Sequence, residues 1–333
     1  MYQDRKAFKA PDQISLQSAL DEGFHPRNRL LTVEQIMALP PADWVVKSLV
    51  PADAIGVLYG KPGAGKTFFA LSVVLSIAHG LTCFGRKTVK GNAVIVSGEG
   101  GRGLQNRTKA WHQHHGLPVA ECGNVRILPH ACNMMDADAV EHLIQDIHHH
   151  FDGQRIELVV FDTLSRCFGD GDENRQGDMA RFVEAVELVR RALGCTVLVV
   201  HHTPKEADEL RGSSVLEGAC DFVLRAGKTS LGMELFVRKM KDGRDGLSIT
   251  YQMGSACLGI DGDGEAMNVP VAVLEGTISE RPASADEASP TGKNQQALLS
   301  VLGDFEMGLT EAEWRQQAKD RSAFGGAKPP ASN

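Results

Sequence analysis

Ala54-Ile55-Gly56-Val57-Leu58-Tyr59-Gly60-Lys61-Pro62-Gly63-Ala64-Gly65-Lys66-Thr67-Phe68-Phe69-Ala70-Leu71 is an apolar run that breaks into glycines and then resumes as a second apolar run. The first run, Ala54 to Tyr59, has the length of a buried strand, and the second opens a helix. Between them, Gly60, Lys61, Pro62, Gly63, Ala64, Gly65, Lys66 and Thr67 fit the spacing GxxxxGK[ST]. Glycines let successive backbone N–H groups turn inward around phosphate oxygens, and the helix starting near Phe68 adds the partial positive charge of its N-terminus. Lys66 is expected to pair with the β and γ phosphates of ATP, and the Thr67 hydroxyl to bind Mg²⁺.

Working outward, further strand-length apolar runs occur at Ala93 to Ser97, Val125 to Leu128, Leu158 to Phe161 and Thr196 to Val200. Helical patterns lie between most of them. The clearest carries Met179, Phe182, Val183, Val186, Val189 and Leu193 at spacings of three and four, and Gly194 stops it. This alternation predicts an α/β fold, a mostly parallel sheet covered by helices on both faces. After Asp221 the pattern shortens to Phe222 to Arg225, Glu234 to Met240 and Leu247 to Gln252, with Gly-rich turns between. These read as antiparallel strands at the sheet edge.

The domain organisation expected from composition is an N-terminal arm over residues 1–43, a core over 44–278, a flexible linker over 279–293 and a small helical region over 294–333. The 333 residues are 42% apolar and 23% charged, which excludes disordered, collagen-like and disulfide-scaffold classes. No run of about 18 apolar residues is available to span a bilayer, and the opening MYQDRKAFKAPDQISLQ lacks the apolar core of a signal peptide. A cytoplasmic location and no membrane partner are expected. A net charge of −7 argues against a protein held on DNA by overall charge, though not against one whose basic residues line a local channel. The seven cysteines include no CxxC pair and read as reduced, mostly buried thiols rather than a disulfide framework or a metal site.

Three more strand ends carry polar groups suited to the same site. Leu158-Val159-Val160-Phe161-Asp162 ends in a carboxylate that would hold Mg²⁺ through a water. Ala93-Val94-Ile95-Val96-Ser97-Gly98-Glu99 supplies a second acid, Glu99, able to orient the attacking water. Thr196 to Val200 runs into His201-His202, one of which can face the γ phosphate while the other packs. Adjacent histidines on a strand point to opposite faces, which disfavours shared metal ligation. His148-His149-His150 reads as a solvated surface.

These elements, GKPGAGKTFFAL, VIVSGEG, LVVFDTLSR and LVVHHTPK followed by RGSSVLEGACD, resemble in that order the RecA-like P-loop ATPases, and most closely the plasmid RepA-type replicative hexameric helicases with their phage and mobile-element relatives. The resemblance covers roughly residues 44 to 252. It implies a core in which another strand lies between the strand of the phosphate loop and the strand of Asp162. It also implies a hexamer with ATP sites at subunit interfaces. Carried over, it makes Lys66 and Thr67 the nucleotide and metal residues, Glu99 the catalytic carboxylate, Asp162 the second metal acid and His202 the γ-phosphate sensor.

Two departures stand out. The arginine that the plasmid helicase gives its neighbour aligns near Asp221, so Lys239, Lys241 and Arg244 become the candidates for a cation acting across an interface. The C-terminal extension resembles the helical, winged-helix-like tails of phage relatives. The resemblance further implies single-stranded DNA held by loops carrying Arg166 and Arg175 after one core strand, and Lys205 and Arg211 after the next. Phe168 is the one aromatic there, so phosphate contacts should dominate.

The expected function is an ATP-driven DNA helicase or translocase in replication of a plasmid, phage or integrated element, with a replication initiator or primase as a possible partner. A RecA- or KaiC-like regulatory or recombination ATPase that switches without unwinding is the alternative. A small-molecule kinase fits less well, because nothing after Asp162 resembles a basic lid.

Overall fold

The computed structural model describes residues 32–38, 43–98, 101–203 and 214–280. Two strands, β1 (Trp44–Val46) and β2 (Val50–Pro51), form a small antiparallel hairpin ahead of the main sheet. The main sheet contains β3 (Ile55–Gly60), β4 (Asn92–Ser97), β5 (Val125–Leu128), β6 (Ile156–Asp162), β7 (Thr196–His202), β8 (Phe222–Thr229), β9 (Gly232–Met240), β10 (Leu247–Ile260) and β11 (Ala266–Glu280). Its spatial order is β11-β10-β9-β8-β3-β7-β6-β4-β5. The six strands from β8 to β5 are parallel, and β9, β10 and β11 extend the sheet antiparallel. This is a RecA-like core, with β7 lying between β3 and β6.

The described helices are α1 (Val33–Met37), α2 (Lys66–His79), α3 (Gly101–His115), α4 (Ala137–His150), α5 (Leu164–Cys167), α6 (Gln176–Leu193) and α7 (Ser214–Ala219). Parallel strands need crossovers, and the crossover helices cover both faces. Successive residues of a strand point to opposite faces, so each central strand supplies two cores. Leu58, Ile95, Val160 and Leu198 pack with Phe69, Val73 and Ile77 of α2. Val57, Val159, Val197 and Val199 pack on the other face with Val140 and Ile147 of α4 and Phe182 and Val186 of α6. Complete burial of such a side chain contributes about 1.5–3 kcal/mol, which is why the central strands read as unbroken apolar runs. Helix α2 is buried along nearly its whole length, and Gly80 closes it in a left-handed conformation.

The antiparallel edge is longer than the sequence suggested. β10 continues to Ile260 and pairs with β11, whose last residue, Glu280, lies two residues beyond the expected core boundary. The C-terminal region expected to be helical lies outside the described residues. All seven cysteines are free thiols, five of them buried.

Candidate nucleotide site

The site is assembled at the carboxyl edge of the parallel strands, where ligands bind in open α/β sheets. β3 ends at Gly60, and the chain turns through residues 61–65 into α2. Gly65 caps α2 at φ 78°, and a Cβ there would lie 2.7 Å from Met233 Cε and 3.0 Å from the Tyr251 hydroxyl. A side chain is therefore excluded by both conformation and space. At Gly60, an added Cβ would collide with the Ala226 carbonyl of β8.

Lys66 is buried, and its ammonium donates to the carbonyls of Gly60 at 2.7 Å and Lys61 at 3.0 Å. Its charge therefore sits within the loop, beside the first turn of α2. Asp162, fully buried, ends β6 in register with Ser97 of β4 and Val200 of β7. The Gly98 N–H donates to the Asp162 carbonyl at 2.7 Å, tying the end of β4 to it. His202, the last residue of β7, is in register with Gly60, and the Thr203 N–H donates to the Gly60 carbonyl at 3.2 Å. His201 is buried on the same strand end. A cavity of about 360 Å³ opens here, with Gly63, Gly65, Lys66, Thr67, Phe68 and His202 in its wall. A neighbouring cavity of about 390 Å³ is walled by Gly60, Lys61, Pro62, Ala64 and Thr203. The structure thus brings the loop, Lys66, Thr67, Asp162 and His202 to one sheet edge.

Two cations that the sequence did not single out join this edge. Arg107 of α3 stacks over the Phe68 ring with its guanidinium carbon 5.0 Å from the centroid, and it lines the smaller cavity. Lys228, near the end of β8, lines both cavities. Arg225 of β8 lies 3.5 Å from Glu234, which also accepts from Ser248 Oγ at 2.7 Å. Behind the loop, burial pushes the Tyr59 phenol above its usual range against the pull of Arg238, which donates to its hydroxyl at 3.2 Å.

The expected interface cations lie elsewhere. β9 runs antiparallel to β8, so Lys239, Lys241 and Arg244 fall at the opposite edge of the sheet from the chain's own loop. Eight residue steps separate Gly232 from Met240 along β9, roughly 27 Å. Lys239 donates to the Glu217 carbonyl at 2.9 Å, and Lys241 lies 3.3 Å from Asp221. Asp221 itself accepts from the Ile55 N–H at 3.0 Å, anchoring the start of β3. A cavity of about 560 Å³ opens at this far edge, but its wall carries Asp43, Asp53, Glu187, Asp221 and Asp242 against three cations. That balance suits a polyphosphate poorly.

Arg166 on α5 and Arg175 at the start of α6 are exposed. Phe168, the one aromatic in that stretch, is buried and stacks on Phe182 at 5.2 Å, so it offers no platform for a base. Glu99, Lys205 and Arg211 lie outside the described residues.

A family model described as an AAA domain matches residues 25–208, more than half of the chain. The chain belongs to that family. As an AAA-domain chain with a RecA-like sheet, it is a P-loop protein of the ATPase type. Among solved structures it is similar to one titled ATPase Domain of G40P, with 15% identity, a TM-score of 0.46, and coverage of 72% of this chain and 96% of that one. Families of this type generally use ATP and Mg²⁺. Within the described residues, no helix is long and apolar enough to cross a membrane.

Proposed function

We propose that this AAA-domain chain is an ATP-hydrolysing helicase or translocase of the RepA-like type, acting as a hexameric ring on single-stranded DNA during replication of a plasmid, phage or mobile element. The observation that carries the reading is the convergence of Lys66, Thr67, Asp162 and His202 at one sheet edge, with the β7 strand end between the loop and the acid.

In this reading the loop N–H groups and the start of α2 bind the phosphates, and Lys66 offsets charge on the transferring phosphoryl group. Thr67 Oγ1 and the Asp162 carboxylate are hard oxygen donors, a set that fits Mg²⁺. Bound Mg²⁺ would neutralise charge on the β and γ oxygens. Glu99 orients the attacking water and accepts its proton. His202, paired in register with the first loop residue, registers loss of the γ phosphate and moves the segment that follows β7. Lys239, Lys241 and Arg244, remote from the chain's own loop, act on a neighbouring subunit's nucleotide. Arg166, Arg175, Lys205 and Arg211 contact DNA phosphates in the channel. The core runs from residue 44 to Glu280, followed by a linker and a small C-terminal helical region, and a replication initiator or primase is the candidate partner.

The test is strand separation on a forked duplex with ATP and Mg²⁺. Unwinding that depends on hydrolysis supports the reading, whereas DNA-stimulated hydrolysis without unwinding assigns the chain to the regulatory ATPases that switch.

A further inference from the structure

The far end of α2, one helix length from the phosphate loop, carries a cluster that the nucleotide chemistry does not use. His79 is the last residue of α2, His112 lies in the last turn of α3, and Cys122 follows the short 3₁₀ turn Val119–Glu121 that leads toward β5. One ligand atom from each lies within 4.8 Å of the others. From this juxtaposition we infer that His79, His112 and Cys122 form a site for a borderline transition-metal ion, with Zn²⁺ as its natural occupant.

The geometry is specific. The two imidazoles face each other through Nε2 atoms 3.2 Å apart. Two nitrogens bound tetrahedrally to zinc at 2.0–2.1 Å stand about 3.3 Å from one another, so this pair already has the required span. His112 is buried, and its Nδ1 lies 2.8 Å from the Thr108 carbonyl. Donation from Nδ1 to that carbonyl fixes the tautomer and leaves the Nε2 lone pair directed at the cluster, as metal-bound histidines are held. The His79 ring is held in place by stacking on Trp111 at 5.8 Å and 22°. Trp111 in turn stacks on His115 at 4.0 Å. Cys122 is half-buried, which leaves solvent access for a water as the fourth ligand.

The donor set decides the ion. Two imidazoles and a thiolate match Zn²⁺ or Co²⁺ and exclude the hard oxygen-seeking Mg²⁺ and Ca²⁺. No motif marks the site, because the ligands are separated by 33 and 10 positions and come from three different segments. Bound there, the ion cross-links α2, α3 and the segment entering β5. It would act on the fold and not on the phosphate chemistry.

The test uses the full chain after exhaustive chelation, titrated with Zn²⁺ in the calorimeter and with Co²⁺ in the spectrophotometer. The expected result is one ion per chain, with the sulfur-to-cobalt charge-transfer band and the strong visible bands of tetrahedral Co²⁺. Cys122→Ser should abolish the charge-transfer band, and both Cys122→Ser and His112→Gln should weaken Zn²⁺ binding by about a hundredfold or more. His114→Ala, a change at an exposed neighbour, should leave both intact. Far-UV circular dichroism of the chelated proteins separates loss of ligands from loss of fold, and Cys122→Ser, at a half-buried position, carries the conclusion if His112→Gln unfolds. Absence of stoichiometric Zn²⁺ binding overturns the proposal. So does binding that persists undiminished in both variants, which would assign the ion to exposed histidines such as His148, His149 and His150.

Discussion

Gly60, the first residue of the phosphate loop, and His202, the last residue of β7, are directly paired across the parallel strands β3 and β7. Any change at one strand end is therefore felt at the other through main-chain hydrogen bonds, including Thr203 N–H to the Gly60 carbonyl. Replacing His202 by Ala should lower ATP turnover by roughly tenfold to a hundredfold while changing nucleotide affinity less than about threefold. Single-turnover hydrolysis alongside equilibrium nucleotide titration checks this. An equal loss of binding would make His202 part of the cradle.

Gly65→Ala attacks the cradle itself. The new Cβ meets Met233 and Tyr251, and the backbone at φ 78° disfavours any side chain. The loop should lose its shape, abolishing detectable nucleotide binding and costing about 1–3 kcal/mol of stability. Fluorescent-nucleotide titration and the urea unfolding midpoint measure the two effects.

Lys228 and Arg107 were invisible in the sequence because they reach the loop from the end of β8 and from α3, with no spacing that ties them to the motif. Lys228 is exposed, so solvent screens its charge and a modest effect follows. Lys228→Ala should weaken nucleotide binding about threefold to tenfold, and more at low ionic strength. An affinity that does not change with the substitution at low salt would remove Lys228 from the site.

Much of the rest was legible for a physical reason. Strands buried on both faces, such as Leu158 to Phe161 and Thr196 to Val200, must be continuously apolar, and glycines mark the positions where backbone conformation leaves no alternative. The β10 and β11 pair was only half legible. Beyond Gln252 its residues are largely exposed on at least one face, so burial no longer imposes a readable pattern. The burial of Phe168 was not legible, because a lone aromatic in an otherwise polar stretch has no periodic partners to mark its face, and the fold turns it inward onto Phe182.

The edge position of Lys239, Lys241 and Arg244 makes a sharp prediction about assembly. Alanine variants of these residues and Lys66→Ala should each be nearly inactive alone, yet mixtures should recover partial turnover where an intact loop faces an intact cation. The loss for an effective cation should fall toward the 10³ to 10⁵ range known for such groups acting in trans, and less for a lysine, which lacks the fork of arginine. Mixtures without rescue at any ratio would exclude these residues.

The most direct test of the central claim is steady-state ATP hydrolysis by the wild-type chain and by Lys66→Ala, each with Mg²⁺ and with or without single-stranded DNA. The wild type should hydrolyse ATP faster when DNA is present. Lys66→Ala should retain its circular dichroism and lose turnover by several orders of magnitude, because the charge removed acts on the transferring phosphoryl group and contributes little to packing. Near-normal hydrolysis by a folded Lys66→Ala protein would contradict the account.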